Sequence, residues 1–390
     1  NAQSFPPSHE KVPSSREDSL RTIWQLRRDV RRLSALKGRA HGTPYAAKAV
    51  QYIVRRFRRA GYSTIIVDTF PLQVYRLTKV QAWISTDGKH WRKLRLGKDF
   101  IAAGHSPPLK GTWQVDTFAR PGSAWKIPLL SSEQLLLARQ KQVPILVLPT
   151  PKLTATIASE VAFPAVIQVR STLPDFSYLR LTIESQSLHT LGWNVAALLK
   201  GLSSDSAWVV GAHYDHLGFI GQVTFPGAND NSSGVAMLLT LAHRMKAASP
   251  PPYDVWFVAF GAEELGLVGS RWWVQHPPYP LERMRGMLNF DLMGFGEKGI
   301  AIVGAADQPA LWQRVDSVRT ALGWNPPLLR RSMAANSDQF SFYEKGVPAL
   351  FFYLEGGPGY YHDIYDRPQT LSWHGAYPFL RWIEEVLRLP

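Results

Sequence analysis

The chain contains no cysteine. It therefore has no disulfide framework and no thiolate metal ligand, and any metal has to be held by histidine, aspartate or glutamate. No run of 18 or more apolar residues occurs, which argues against a membrane-spanning helix. Internal repeats and sustained low-complexity segments are also missing, which excludes solenoids and repeat arrays. Acidic residues are the scarcer charge, 30 Asp and Glu against 44 Lys and Arg, for a formal net charge of +14. An excess of that size brings nucleic-acid binding into consideration. The densest basic runs, Arg27 to Arg32 and Arg55 to Arg59, are however interleaved at helical spacing with Leu20, Ile23, Val30 and Leu33, and with Val50, Ile53 and Phe57. They read as the solvated faces of two amphipathic helices, and no nucleic-acid partner is expected. Attraction to an anionic cell surface or to acidic peptides fits the same charge.

The chain does have enough apolar material, 45% of 390 residues, for a large core with an insertion or appendage. Residues 1–14 hold Pro and Ser without periodicity and read as a loose tail. Their polar, Pro-rich start at Asn1 resembles the segment left behind when a signal peptide is removed, so a secreted or periplasmic protein is expected. Ser15 to Ser34 has helical spacing, and Thr43-Pro44 opens a second helix that Gly61 ends. Between Val74 and Ser187 the pattern changes to short strand-like pieces broken by Gly, Pro and polar turns, with one basic helix over Glu133 to Lys141. From Trp193 strands and helices alternate to the end, the mark of a mostly parallel, mixed sheet sandwiched by helices, hence an α/β fold with a β-rich inserted subdomain.

The informative stretch begins at Val209. An apolar strand (Trp208, Val209, Val210) delivers His213 and Asp215 at its carboxyl end, where open α/β sheets place their ligands. Asp230 stands just ahead of a run of helical composition from Gly234, near the positive end of a helix dipole. Three more apolar runs end on ionisable groups: Tyr253 to Phe260 leads into Glu263-Glu264, Gly286 to Phe290 into Asp291, and Pro348 to Leu354 towards His362. His213, Asp230, Glu264, Asp291 and His362, with Glu263, make a ligand set for two zinc ions sharing a bridging carboxylate, with one carboxylate left for acid–base work. Co²⁺ or Mn²⁺ would suit the same oxygen and nitrogen donors. Asp215, two residues past His213 on an extended chain, is placed to reach its second ring nitrogen, whereas His216 would point away, to a supporting or surface position.

Gly211-Ala-His-Tyr-Asp-His, Gly227-Ala-Asn-Asp-Asn-Ser-Ser-Gly, Phe260-Gly-Ala-Glu-Glu-Leu-Gly-Leu-Val-Gly-Ser, Asn289-Phe-Asp-Leu-Met-Gly, Ser337-Asp338 and Tyr361-His362 occur in the order found in the co-catalytic zinc aminopeptidases. The carboxyl-terminal half of the chain resembles that family, which also contains glutamate carboxypeptidases and glutaminyl cyclases. The resemblance implies that His213 and Asp291 bind one zinc, Glu264 and His362 the other, and Asp230 bridges them. It implies Glu263 as general base to a metal-bridging water and Asp215 as the group orienting His213. A cis link after the bridging aspartate, at Asp230-Asn231, is a further implication.

Tyr360, Tyr361 and Asp338 are the candidate substrate contacts, either tyrosine hydroxyl being able to polarise a carbonyl. The family's usual His is Gln339 here. Many relatives carry a protease-associated domain where the β-rich segment lies, so residues 15–73 and 188–390 are expected to form the exopeptidase domain and 74–187 the insert. Expected substrates are peptides with a free amino terminus. Carboxypeptidase or dipeptidase action, or single-zinc glutaminyl cyclisation, are the alternatives within the family, Arg271, Arg330 and Arg331 being available to clamp a carboxylate.

Overall fold

A computed structural model describes residues 15–390; the expected tail, 1–14, lies outside the described residues. The chain has the α/β fold read from the sequence, one large mixed sheet flanked by helices. Along one half of the sheet the strands run in the order Leu328–Arg331, Gly299–Val303, Ala349–Glu355, Met284–Phe290, Ser203–His213, Tyr253–Phe260, Tyr178–Leu199. The four adjacent strands from Ala349–Glu355 to Tyr253–Phe260 are parallel to one another, so their carboxyl ends share one edge. Their sequences are apolar throughout because both faces are covered: Val209, Val210, Phe257, Val258, Leu288 and Leu350 are fully buried.

Helix Pro44–Arg59 starts as expected, with Thr43 accepting from the Tyr45 amide and Pro in the first turn, and it buries Ala46, Ala49, Val50, Ile53 and Phe57 against the core. The basic runs are not wholly solvated faces. Arg28 and Arg56 converge on the fully buried Asp29, at 3.0 and 2.9 Å, and Tyr52 donates to the same carboxylate. A buried carboxylate needs that compensation, and it ties the first two helices together.

The expected change of pattern at Val74 is not a break in the chain's path. Ile65–Ser85 and Tyr178–Leu199 are single long strands, paired antiparallel from Ile65 opposite Ala197 to Ser85 opposite Tyr178, with one irregularity between Leu77 and Lys79. Pro71 is tolerated because the strand is at an edge there, where no neighbour needs its missing N–H. The pair carries the sheet out of the main core and into a second one. There Leu109–Asp116, Ala124–Lys126, Ile145–Thr150, Ala165–Arg170 and Phe100–Ala102 come next in order, with helix Ser132–Gln140 alongside. Ile145, Val147, Ile167, Phe100 and Leu181 fill this second core, and Leu217, Phe225 and Ile364 from the later chain are buried in it as well. No helix among the described residues is long and apolar enough to cross a membrane.

Candidate metal centre

The shared strand edge gathers the expected donors. His213 is the last residue of its strand, Asp291 directly follows Phe290, Glu263 and Glu264 follow the Phe260 strand by a tight turn, and His362 lies in the loop after Glu355. Asp230 sits in the turn Ala228–Ser233 that opens helix Gly234–Ala247, with a cis Asp230–Asn231 peptide as expected. Ala262, Leu292 and His362 all have positive φ, at 57°, 54° and 54°. Such backbone persists only where surrounding structure holds it, and it clusters at functional sites.

Two donor clusters result, His213–Asp230–Asp291 and His216–Asp230–Glu264–His362. In the first, His213 Nε2 is 3.5 Å from Asp230 Oδ1 and 3.3 Å from Asp291 Oδ2. In the second, His362 Nε2 is 3.1 Å from Asp230 Oδ2 and 3.2 Å from Glu264 Oε2. Donors about 2.0–2.1 Å from a tetrahedral zinc stand about 3.3 Å from each other, so these separations fit an ion inside each cluster. Asp230 turns one oxygen to each, as a bridging carboxylate must. Asp291 Oδ1 is buried with no hydrogen-bond partner, an acceptor that a cation would satisfy. Side chains and spacing thus fit a pair of metal ions.

The electrostatics point the same way. Burial works to lower the pKa of His213, but the Glu263 and Asp291 carboxylates outweigh it and hold it well above the ordinary imidazole range. Burial likewise opposes protonation of His362, yet Glu264 and Asp230 raise it to about 11. Without metal the acidic cluster draws protons onto both imidazoles, positive charge in the place of an ion. Glu264 is held well below the carboxylate range, His362 and His216 outweighing its burial. Glu263 moves the other way, raised well above it by burial and by Glu264, His213 only partly offsetting them. The two adjacent glutamates are thus pushed in opposite directions by the groups around them.

Asp215 faces the second ring nitrogen of His213 but beyond hydrogen-bond distance. Its carboxylate is 3.8 Å from His213 Nδ1, which instead lies 3.2 Å from the Asp215 carbonyl oxygen, and it accepts from the backbone N–H groups of Glu263 and Glu264 at 3.1 and 3.3 Å. It therefore fixes the glutamate turn as well as facing the histidine. Of the two positions expected for His216, supporting or surface, it takes the supporting one. It is fully buried, its Nδ1 2.7 Å from Glu264 Oε1 and 3.8 Å from Asp230 Oδ1. The chain leaves the extended strand conformation after His213, so alternation no longer decides which way His216 points.

Asp366 accepts from the two backbone N–H groups of Asn229 and Asp230, at 2.8 and 3.0 Å, and so steadies the Asp230 loop. Tyr361 is half exposed with its ring stacked on His362 at 3.9 Å, and Tyr360 packs against Tyr365. Asp338 is fully buried, its pKa pushed up to about 7 by burial, and it offers no open face to a substrate.

Arg39 was invisible in the sequence. Its guanidinium is completely buried and donates to the carbonyls of Tyr214 (2.6 Å), Pro226 (2.9 Å) and Gly227 (2.9 Å), with Asp230 O at 3.4 Å. It joins the two loops that carry His213 and Asp230. Burial lowers its pKa to about 10, opposed by Asp230 and Asp366. Only its position after the left-handed Gly38, at φ 73°, marks it locally.

Several known proteins are similar to this chain. An aminopeptidase of Bacillus subtilis, YwaD, is 34% identical over 174 residues, 42% of this chain, but the aligned stretch spans only 36% of that protein's length. Among solved structures, a zinc aminopeptidase from Bacillus subtilis has the same fold, with a TM-score of 0.72 at 21% identity, covering 94% of this chain and 95% of the other. A glutaminyl cyclase of Porphyromonas gingivalis is similar more distantly, with a TM-score of 0.56 at 14% identity, covering 93% of this chain and 96% of the other. The model of peptidase family M28 matches residues 194–386, the stretch holding every donor of both clusters, and over that stretch the chain is similar to peptidase family M28.

Proposed function

We propose that the protein is a di-zinc exopeptidase that removes amino-terminal residues from peptides, with Glu263 as general base. The observation that carries this reading is Asp230, whose two oxygens are each shared with a different donor cluster while Glu263 belongs to neither. His213 and Asp291 would hold one ion, Glu264 and His362 the other, and His216 braces Glu264. Zinc in such a pair supplies Lewis acidity towards water and towards the carbonyl to be cleaved. The names of YwaD and of the similar zinc aminopeptidase structure favour cleavage from the amino end.

Glu263 carries the proton. Its carboxylate lies 3.9 Å from His213 Nε2, at the border of the first cluster. It takes a proton from the attacking water and returns it to the departing amine nitrogen. Burial and Glu264 raise its pKa in the bare acidic cluster, and cations held by the two clusters would lower it again and favour the ionised form that accepts a proton. Asp215 holds the turn that aims it. Tyr361, exposed next to His362, would donate to the substrate carbonyl. A cavity of about 290 Å³ lined by Leu292, Phe295, Tyr360 and Tyr361, and also by Lys298, Glu355 and Asp366, would receive a substrate side chain.

The test is to incubate zinc-loaded protein with mixed free-ended peptides and read the products by mass spectrometry. Stepwise loss of amino-terminal residues is expected. The same products should form about 10²–10⁴-fold more slowly with Glu263→Gln at unchanged zinc content. Trimming from the carboxyl end would reverse the proposed orientation. Loss of ammonia from amino-terminal glutamine alone would make the protein a cyclase.

A further inference from the structure

The β-rich segment is bonded to the metal centre. His362 Nδ1 is 2.8 Å from the carbonyl oxygen of Ala155, in the loop after strand Ile145–Thr150, and the Ala155 N–H donates back to the His362 carbonyl at 3.0 Å. The two residues thus clamp each other through a reciprocal pair, both buried. His362 needs such a clamp, because its φ of 54° is a backbone state that an L side chain adopts only when its surroundings impose it. A metal-binding histidine also needs an acceptor for its other ring N–H, which sets the tautomer and the ring's direction. With Ala155 O receiving the Nδ1 proton, Nε2 is left facing Asp230 and Glu264.

The loop that offers Ala155 is itself anchored in the β-rich segment. Gln168, on strand Ala165–Arg170, brackets Thr154 on both sides: its Oε1 accepts from the Thr154 N–H at 2.9 Å and its Nε2 donates to the Thr154 carbonyl at 3.0 Å. Thr156 Oγ1 accepts from the Gly104 N–H at 3.0 Å. Leu153 and Ala155 are buried in the same core as Ile145, Ile167 and, from the other side of the contact, Ile364. His362 is thereby tied to the second core through the loop that holds Ala155.

We propose that the β-rich segment serves as a positioning element for the second metal site: the loop 151–157, pinned by Gln168 and Thr156, holds His362 in its ligating orientation through Ala155. The inference rests on the di-metal reading of the site. It assigns the segment a part in metal binding, beyond shaping or shielding the cleft. Gln168 and Thr156 act through His362 and touch no reacting atom, so metal binding, and not turnover, reports on them.

The experiment uses the full chain in zinc buffers of graded free concentration, with bound zinc per chain measured by mass spectrometry. His213→Ala and His362→Ala serve to assign the two binding steps. Gln168→Met keeps the side chain's size and removes both bonds to Thr154; Thr156→Val is the milder change. Ser131→Ala, which breaks the capping box of helix Ser132–Gln140, loosens the same segment far along the chain from the clamp. Both anchor variants are expected to weaken the step assigned to His362 by about 10–100-fold and to leave the other step unchanged, while Ser131→Ala changes neither. Unaltered zinc binding in both anchor variants, beside a wild type that binds two ions, overturns the inference alone. Equal weakening by Ser131→Ala overturns it too, by reducing the effect to general destabilisation. A wild type that binds no zinc defeats the metal reading and the inference with it.

Discussion

Replacing Arg39 by methionine removes a buried cation that ties the His213 strand end to the Asp230 loop. Three of its contacts are short enough to count fully, to the carbonyls of Tyr214, Pro226 and Gly227 at 2.6, 2.9 and 2.9 Å, while the 3.4 Å approach to Asp230 O adds little. A hydrogen bond to a charged group contributes about 1.5–3 kcal/mol, and each buried acceptor left without a donor costs about 1–3 kcal/mol. Methionine fills much of the volume and recovers the desolvation penalty of the guanidinium, so the low end applies. The sum for three carbonyls is about 3–5 kcal/mol, the range found when a buried charge network is broken. Guanidinium chloride unfolding of Arg39→Met and wild type, each with and without zinc, measures it. Arg39→Lys keeps the charge but not the planar fork that reaches separate carbonyls at once, and should fall between the two. A loss below about 1 kcal/mol for Arg39→Met, or equal losses for Met and Lys, would refute the view that this guanidinium organises the two loops.

The same geometry sets three further outcomes. His216→Ala frees Glu264 Oε1 from its 2.7 Å contact and should weaken zinc at the second cluster about 10–100-fold, read by competition with a chelator; unchanged affinity would leave His216 a mere packing residue. Zinc-free protein should lose stability as pH rises. The folded pKa of His362 is raised to about 11 against about 6.5 unfolded, so its contribution is complete below about pH 6.5 and vanishes as pH climbs through about 11. Thermal melts of chelator-treated protein from pH 6 to 10 should show the decline, and zinc-loaded protein should show less of it. Gly38→Ala places a Cβ 2.4 Å from Phe225 O and 2.6 Å from Gly218 Cα at a φ of 73°, where only backbone movement can relieve the clash. It should be destabilising by at least about 1 kcal/mol, and a neutral melting temperature would contradict the close approach.

Much of the centre was legible because strands advertise themselves. A buried parallel strand must be apolar along its length, so the ionisable residue that ends each such run stands out, as His213, Glu264 and Asp291 do. His362 is harder to see, seven residues beyond its strand, and only its motif places it. The order of strands in the sheet was not legible. Nothing local in the chain says that Ala349–Glu355 inserts between Met284–Phe290, to which it is parallel, and Gly299–Val303, to which it is antiparallel, because buried strands far apart in the chain read alike whichever partner they take. The two long strands that carry the sheet into the β-rich segment were also hidden, since Pro71 and a change of register near Leu77 look like breaks when the pairing partner is not in view.

The sequence by itself determined the donor inventory: with no cysteine and a handful of carboxylates and imidazoles at strand ends, the chemistry was confined to oxygen and nitrogen ligands. Only the tertiary structure decided how those donors are held. Arg39 lies 191 residues from Asp230, and Ala155 lies 207 residues from His362; both contacts run through backbone carbonyls, groups that every residue carries and that no side-chain pattern can reveal. A sequence records which side chains are available for chemistry. The backbone contacts that fix their direction arise from the packing of distant segments, so they exist only once the chain has folded.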